Sequence, residues 1–107
     1  MDRLEQLLAF HEVDPDDSFV RFALATEYIK LMRHDEAKRV FEELVEKDPA
    51  YVGTYYHLGK LNERLGDTVS AVETYRKGIQ VSTAALDQHS TAELQSALLE
   101  AEGIGFD

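Results

Sequence analysis

Hydrophobic residues along this chain fall into six stretches at helical spacing, separated by short polar breaks. From Asp2 to Glu12, Leu4, Leu7, Leu8 and Phe10-His11 recur every three or four residues, the spacing of one helix face. Asp14-Pro15 stops that stretch, because proline disfavours helix in the residue before it and lacks an N–H. Asp16-Asp17-Ser18 offers caps for a second helix over Ser18–Met32, with Phe19, Phe22, Ala23, Leu24, Ala25, Tyr28, Ile29 and Leu31 on a wide apolar face. A face that wide suits an inner helix touched from two sides. Arg33-His34 reads as a turn and Asp35 as the cap of a third helix. That helix runs to about Lys47 and carries Ala37, Val40, Phe41, Leu44 and Val45. Asp48-Pro49 ends it.

The second half repeats the scheme. A fourth helix is predicted over about 52–65, with Tyr55, Tyr56, Leu58, Leu61 and Leu65 as apolar contacts. Gly66 supplies the stop and Asp67 the next cap. A fifth helix carries Val69, Ala71, Val72, Tyr75 and Ile79 and runs on to about Ala85. Gly59 and Gly78 lie inside these helices, where glycine costs about 1 kcal/mol relative to alanine. That cost implies close approach of a neighbouring helix. Asp87 to Ser90 gives further cap candidates, and Ser90-Thr91-Ala92-Glu93 has the form of a capping box. A sixth helix then runs to about Glu102 with Leu94, Ala97, Leu98 and Ala101 on one face. Gly103 to Asp107 reads as a frayed tail.

The two halves are in register. Asp14-Pro15, Leu24-Ala25, Ala37 and Phe41 return thirty-four residues later as Asp48-Pro49, Leu58-Gly59, Ala71 and Tyr75. A helix–turn–helix unit with a fixed period of this size marks a stacked repeat. With these residues the chain resembles the tetratricopeptide repeat family over nearly its whole length. Residues 18–51 and 52–85 align as two full repeats. Leu24-Ala25 and Leu58-Gly59 match the inner helix's Leu-Gly pair, and Tyr28 its aromatic. Ala37 and Ala71 match the crossing alanine. Phe41 and Tyr75 match the outer-helix aromatic, and Pro49 the closing proline. Arg21 and Tyr55 replace the usual tryptophan, Asn62 an aromatic, and Thr83 the second proline. Residues 1–17 align as an outer half repeat, with Leu7 beside Phe41 and Phe10 beside Leu44. Residues 86–102 resemble the family's solvating cap helix, and 103–107 is the tail.

The resemblance implies an all-α fold: about six helices in antiparallel helix–turn–helix repeats, stacked as a short right-handed α-solenoid. A length of 107 residues suits one such domain. Composition is that of a soluble globular protein, with 44% hydrophobic and 30% charged residues. No apolar run approaches the roughly 18–20 residues of a membrane span. The acidic N-terminus does not read as a signal peptide, so a soluble, cytoplasmic protein is expected. There is no cysteine.

The net charge of −10 argues against nucleic acid as a partner. Residues 1–17 and 86–107 each carry −5, and the span between them is neutral. Acidic end caps keep a repeat stack solvated. A salt-adapted source or an end that docks a basic partner would also give this pattern.

Candidate chemistry is sparse. Gly53 followed by Gly59-Lys60 has the wrong spacing for a phosphate loop, and Leu61 stands where Ser or Thr must hold magnesium. His11, His34, His57 and His89 are scattered, with no partner at ligand spacing. No nucleophile elbow occurs. The expectation is a protein without catalytic residues, metal or cofactor.

The resemblance implies instead a small protein-interaction module. In this family inner helices line a concave groove that holds an extended peptide or a helix. The groove positions carried over are Phe19, Phe22, Thr26, Ile29 and Lys30 in the first repeat. In the second they are Gly53, Tyr56, Lys60, Glu63 and Arg64. Aromatics beside Lys30, Lys60 and Arg64 suggest an apolar groove with a basic stripe, suited to an acidic segment or a free carboxylate. The plainer reading packs Phe19 and Phe22 against the first helix and lets the bases balance nearby acids. The asparagines with which some members clamp a peptide carboxylate are missing, with Ala23 and His57 at one such site and Thr26 and Lys60 at the other. The alternative role is self-association through an exposed helix face.

Overall fold

Six helices carry the chain: α1 (Arg3–Val13), α2 (Ser18–Lys30), α3 (His34–Lys47), α4 (Gly53–Arg64), α5 (Thr68–Ala84) and α6 (Gln88–Glu102). The computed structural model describes residues 1–103. Of the expected tail, 104–107 therefore lie outside the described residues. All regular structure among the described residues is helical. The chain divides into two units, Met1–Tyr51 and Val52–Asp107. In the first, α2 packs against both α1 and α3. In the second, α5 packs against α4 and α6, and α6 also touches α4.

Helix ends follow from local hydrogen bonds. Asp2, Asp17, Asp67 and Asp87 each cap a helix by accepting a backbone N–H three residues on, from Glu5, Val20, Ser70 and Ser90. Three helices stop in the same left-handed turn. The N–H of Arg33 reaches Tyr28 O at 2.8 Å, that of Asp67 reaches Asn62 O at 2.8 Å, and that of Asp87 reaches Ser82 O at 2.9 Å. The residue before each has positive φ: Met32 at 61°, Gly66 at 82° and Leu86 at 60°. This satisfies the last carbonyls of one helix. It also fixes the next residue as the cap of the following helix.

That geometry corrects two expected caps. Asp35 is not a cap, because the left-handed turn at Met32 places Arg33 at the cap position and α3 begins at His34. Asp35 sits in the first turn, where its charge suits the helix dipole. Ser90 is not a cap either. The turn at Leu86 places Asp87 there, and Ser90 lies inside α6, donating both its N–H and its hydroxyl to the Asp87 carboxylate. Those bonds hold the Asp87 carboxyl below its usual pKa.

The repeat positions form the core. Ala37, Phe41 and Leu44 are fully buried in α3, as are Ala71 and Tyr75 in α5. Both helical glycines lie under aromatic side chains. A Cβ at Gly59 would stand 2.1 Å from Tyr75 Cε1, and one at Gly78 would stand 2.5 Å from Tyr55 Cβ. So α4 and α5 exchange an aromatic for a glycine in both directions.

Where tryptophan was absent, the substitutes behave differently. Tyr55 is buried. Arg21 is also buried, with its Nε 3.1 Å from Glu43 Oε1 on α3 and a guanidinium nitrogen 3.9 Å from Asp16. Asn62 is buried as well. The half repeat matches only in part. Leu7 is buried like Phe41, but Phe10 is 59% exposed where Leu44 is fully buried. Among the described residues, α1 packs against α2.

Candidate functional site

The second unit contains a cleft of about 220 Å³ between α4 and α6, lined by Tyr56, Lys60, Glu93, Ser96, Ala97 and Glu100. Tyr56 and Lys60 are four residues apart on α4, so they share a face. The Lys60 Nζ lies 5.6 Å from the centre of the Tyr56 ring, within cation–π range. It also lies 3.7 Å from Glu100 Oε2 and 3.9 Å from Glu63 Oε2. Glu63 is held from behind, because it accepts a hydrogen bond from the Tyr75 hydroxyl. Burial, and then that bond, push the Tyr75 phenol far above its ordinary pKa. Burial lowers the neighbouring His57, and the charge of Glu93 opposes the shift.

The α6 wall of this cleft was not among the residues expected from the sequence. Glu93, Ser96, Ala97 and Glu100 fall at i, i+3, i+4 and i+7, the spacing of one helix face. That signal was present, but a helix read as a solvating cap was not given a second face. Of the groove positions in this unit, Tyr56, Lys60 and Glu63 come together. Arg64 is exposed in the last turn of α4 and does not line the cleft, and Gly53 is the exposed first residue of α4.

In the first unit, Phe19, Phe22, Thr26, Ile29 and Lys30 all lie on α2. Phe19 is 66% exposed. Phe22 is half-buried, edge-on to Phe41 at 6.1 Å and to Tyr51 at 5.6 Å. These two rings belong to α3 and the segment that follows it. Thr26 spends its hydroxyl on Ala23 O at 2.9 Å. Lys30 is exposed, with Nζ 3.8 Å from Glu27 Oε1. Arg3 approaches the same Glu27 oxygen at 3.9 Å from α1. The expected basic stripe is therefore partly neutralised, Lys30 by Glu27 and Lys60 by Glu63 and Glu100.

A second cleft, of about 250 Å³, lies where α5 turns into α6, near Ser82, Leu86, Asp87 and Thr91. Its polar groups serve the turn itself: Ser82 and Thr91 hydroxyls meet at 2.6 Å, and Asp87 caps α6. It contains none of the expected site residues. Among the described residues no helix is long and apolar enough to cross a membrane.

A sequence profile of the tetratricopeptide repeat matches residues 20–51 and 52–84. The chain belongs to the tetratricopeptide repeat family. A tetratricopeptide repeat domain protein from Salinibacter ruber, solved by crystallography, is 52% identical, covering 85% of this chain and 100% of its own, with a TM-score of 0.79. A TPR repeat-containing protein of Pseudomonas aeruginosa is 26% identical over 91 residues, 85% of this chain and 84% of that protein. The TPR2B domain of yeast Sti1, solved in complex with pHsp70, superposes with a TM-score of 0.87 over 94% of this chain and 80% of that one, at 21% identity. That last likeness is one of fold. The tetratricopeptide repeat assignment accounts for the small residues at Ala37, Gly59, Ala71 and Gly78. These are packing positions, shared whatever a member binds.

Proposed function

We propose that this chain is a non-catalytic interaction module that binds a segment of another protein along its inner helices. The observation that carries the reading is the α4–α6 cleft, lined by the Tyr56 ring, small Ala97 and the charged Lys60, Glu93 and Glu100. Such a surface suits side-chain recognition. The Sti1 domain of the same fold was solved with a protein partner, which supports the class of function and leaves the partner's identity to this chain's own residues. Exposed Phe19 of α2 offers an apolar contact in the first unit, and Tyr56 an aromatic one in the second.

An NMR titration with peptides tests the proposal. Amide shifts of Tyr56, Lys60, Ser96 and Ala97 should move together and saturate. Shifts confined to exposed positions of α5, such as Val69 and Arg76, would sink it.

Self-association is the second reading, favoured by exposed Leu8, Phe10 and Val13 on α1. Sedimentation at several concentrations separates the two. A mass that rises with concentration and a cleft silent to every peptide would favour the dimer.

A further inference from the structure

The lining of the α4–α6 cleft bears on the sign of charge it would accept. Among the described residues lining it, Lys60 is the one lysine or arginine, against Glu93 and Glu100, with Glu63 beside its ammonium; the His89 imidazole lies 3.5 Å from Glu93 at the exposed edge. Lys60 does not project toward a ligand as a free positive charge. Its ammonium lies near the Tyr56 ring, between the carboxylates of Glu63 and Glu100. An aromatic face with carboxylates beside it is the arrangement that holds an external ammonium or guanidinium group. Here a side chain of the protein itself occupies part of it.

We infer that this cleft receives a lysine or arginine side chain of a partner protein segment, with Lys60 as its internal competitor. The proposal rests on the interaction-module reading and adds the charge of the ligand. It reverses the basic-stripe expectation, in which Lys60 would attract an acidic segment. The charge arithmetic favours it: Glu93 and Glu100 line the cleft and Glu63 lies beside Lys60, three carboxylates against one ammonium. The α6 segment points the same way, because residues 86–103 carry −4 with no lysine or arginine. An acidic segment entering here would meet Glu93 and Glu100 at close range, where like charges repel. A basic side chain would pair with Glu93 on entry and could then displace Lys60 from Glu100. Lys60 lies on an exposed-to-intermediate surface and has a long flexible stem, so it can swing toward solvent at little cost.

The test uses the full chain and fluorescein-labelled peptides that differ at one central residue: lysine, arginine, glutamine or glutamate. Binding is read by anisotropy and by the amide shifts of Tyr56 and Ser96. The lysine and arginine peptides should bind tightest and weaken as salt rises. Lys60→Gln should tighten them by about threefold, the worth of one partly exposed ion pair. Glu93→Gln combined with Glu100→Gln should weaken them by about tenfold, the loss of two such pairs together. Both glutamates are at least half exposed, so these variants should keep the helical circular dichroism of the parent. If the glutamate peptide binds best and Lys60→Gln weakens it, the cleft is a binding site but the inferred charge is wrong. If no peptide moves the Tyr56 and Ser96 shifts, the interaction-module reading falls with it.

Discussion

Tyr75 lies across Gly59 so closely that a Cβ added to the glycine would stand 2.1 Å from ring atom Cε1. The ring has nowhere to go, because Tyr75 is fully buried and its hydroxyl donates to Glu63. Two effects therefore oppose each other in Gly59→Ala. Helix propensity favours alanine by about 1 kcal/mol, and overpacking costs about 1–3 kcal/mol or more. Overpacking wins, and Gly59→Ala should lower the urea midpoint. Gly78→Ala should do the same, since Tyr55 Cβ at 2.5 Å is anchored to the backbone. A gain in stability from either would show that the helices can part more easily than this packing implies.

Tyr75 also sets an alkaline limit. Its phenol is raised by burial and by the bond to Glu63, so the folded state resists its ionisation. Below the unfolded pKa of about 10 the hydroxyl is protonated in both states and stability does not depend on it. As pH rises beyond that, the unfolded state ionises first and stability falls. Of five tyrosines, Tyr75 should titrate only as the second unit opens. Absorbance at 295 nm should show a late step that coincides with loss of helical signal. In Tyr75→Phe that step should lose amplitude, with buried Tyr55 supplying what remains. A Tyr75 that titrates normally in folded protein would refute the burial argument.

Met32 occupies a left-handed turn at φ 61°, with 71% of its surface exposed. The same turn one repeat later uses Gly66 at φ 82°. A side chain in this conformation costs about 1–2 kcal/mol, partly offset in glycine by its greater unfolded-state freedom. Met32→Gly should thus stabilise the chain by roughly 0.5–1 kcal/mol, and Gly66→Ala should destabilise it by a similar amount. Thermal melts of the pair check the opposite signs.

Arg21 sits where related repeats place a tryptophan, and it keeps its guanidinium buried against Glu43. Breaking such a pair from one side leaves an uncompensated charge. Glu43 is 41% exposed, so water screens part of the loss, and Glu43→Ala should cost about 1–2 kcal/mol. Arg21→Met removes the buried charge and keeps much of the stem, so it should cost less. Equal losses in denaturant midpoints would mean that packing of the stem, rather than charge, governs this site.

The six helices, the thirty-four-residue period and the tight crossings at Gly59 and Gly78 were all legible, because spacing and side-chain size encode them locally. The cap positions Asp35 and Ser90 were misread. Both lie near genuine cap signals, and the choice between neighbours depends on where the preceding turn enters its left-handed residue. Phe10 aligns with Leu44, yet it is exposed where Leu44 is buried, because burial depends on which helices pack alongside and not on the position in the repeat alone.

The candidate site divides the same way. Tyr56, Lys60 and Glu63 could be placed on one face of α4 from their spacing alone. What their charges do could not. Glu100 lies far along the chain on another helix, and Tyr75 reaches Glu63 from α5. The sequence by itself determined which residues form helices and which sides of those helices are small, since these depend on neighbours three and four positions away. Only the tertiary structure decided that Lys60 is already paired, because electrostatics follows distances in space and α6 brings its carboxylate within 4 Å.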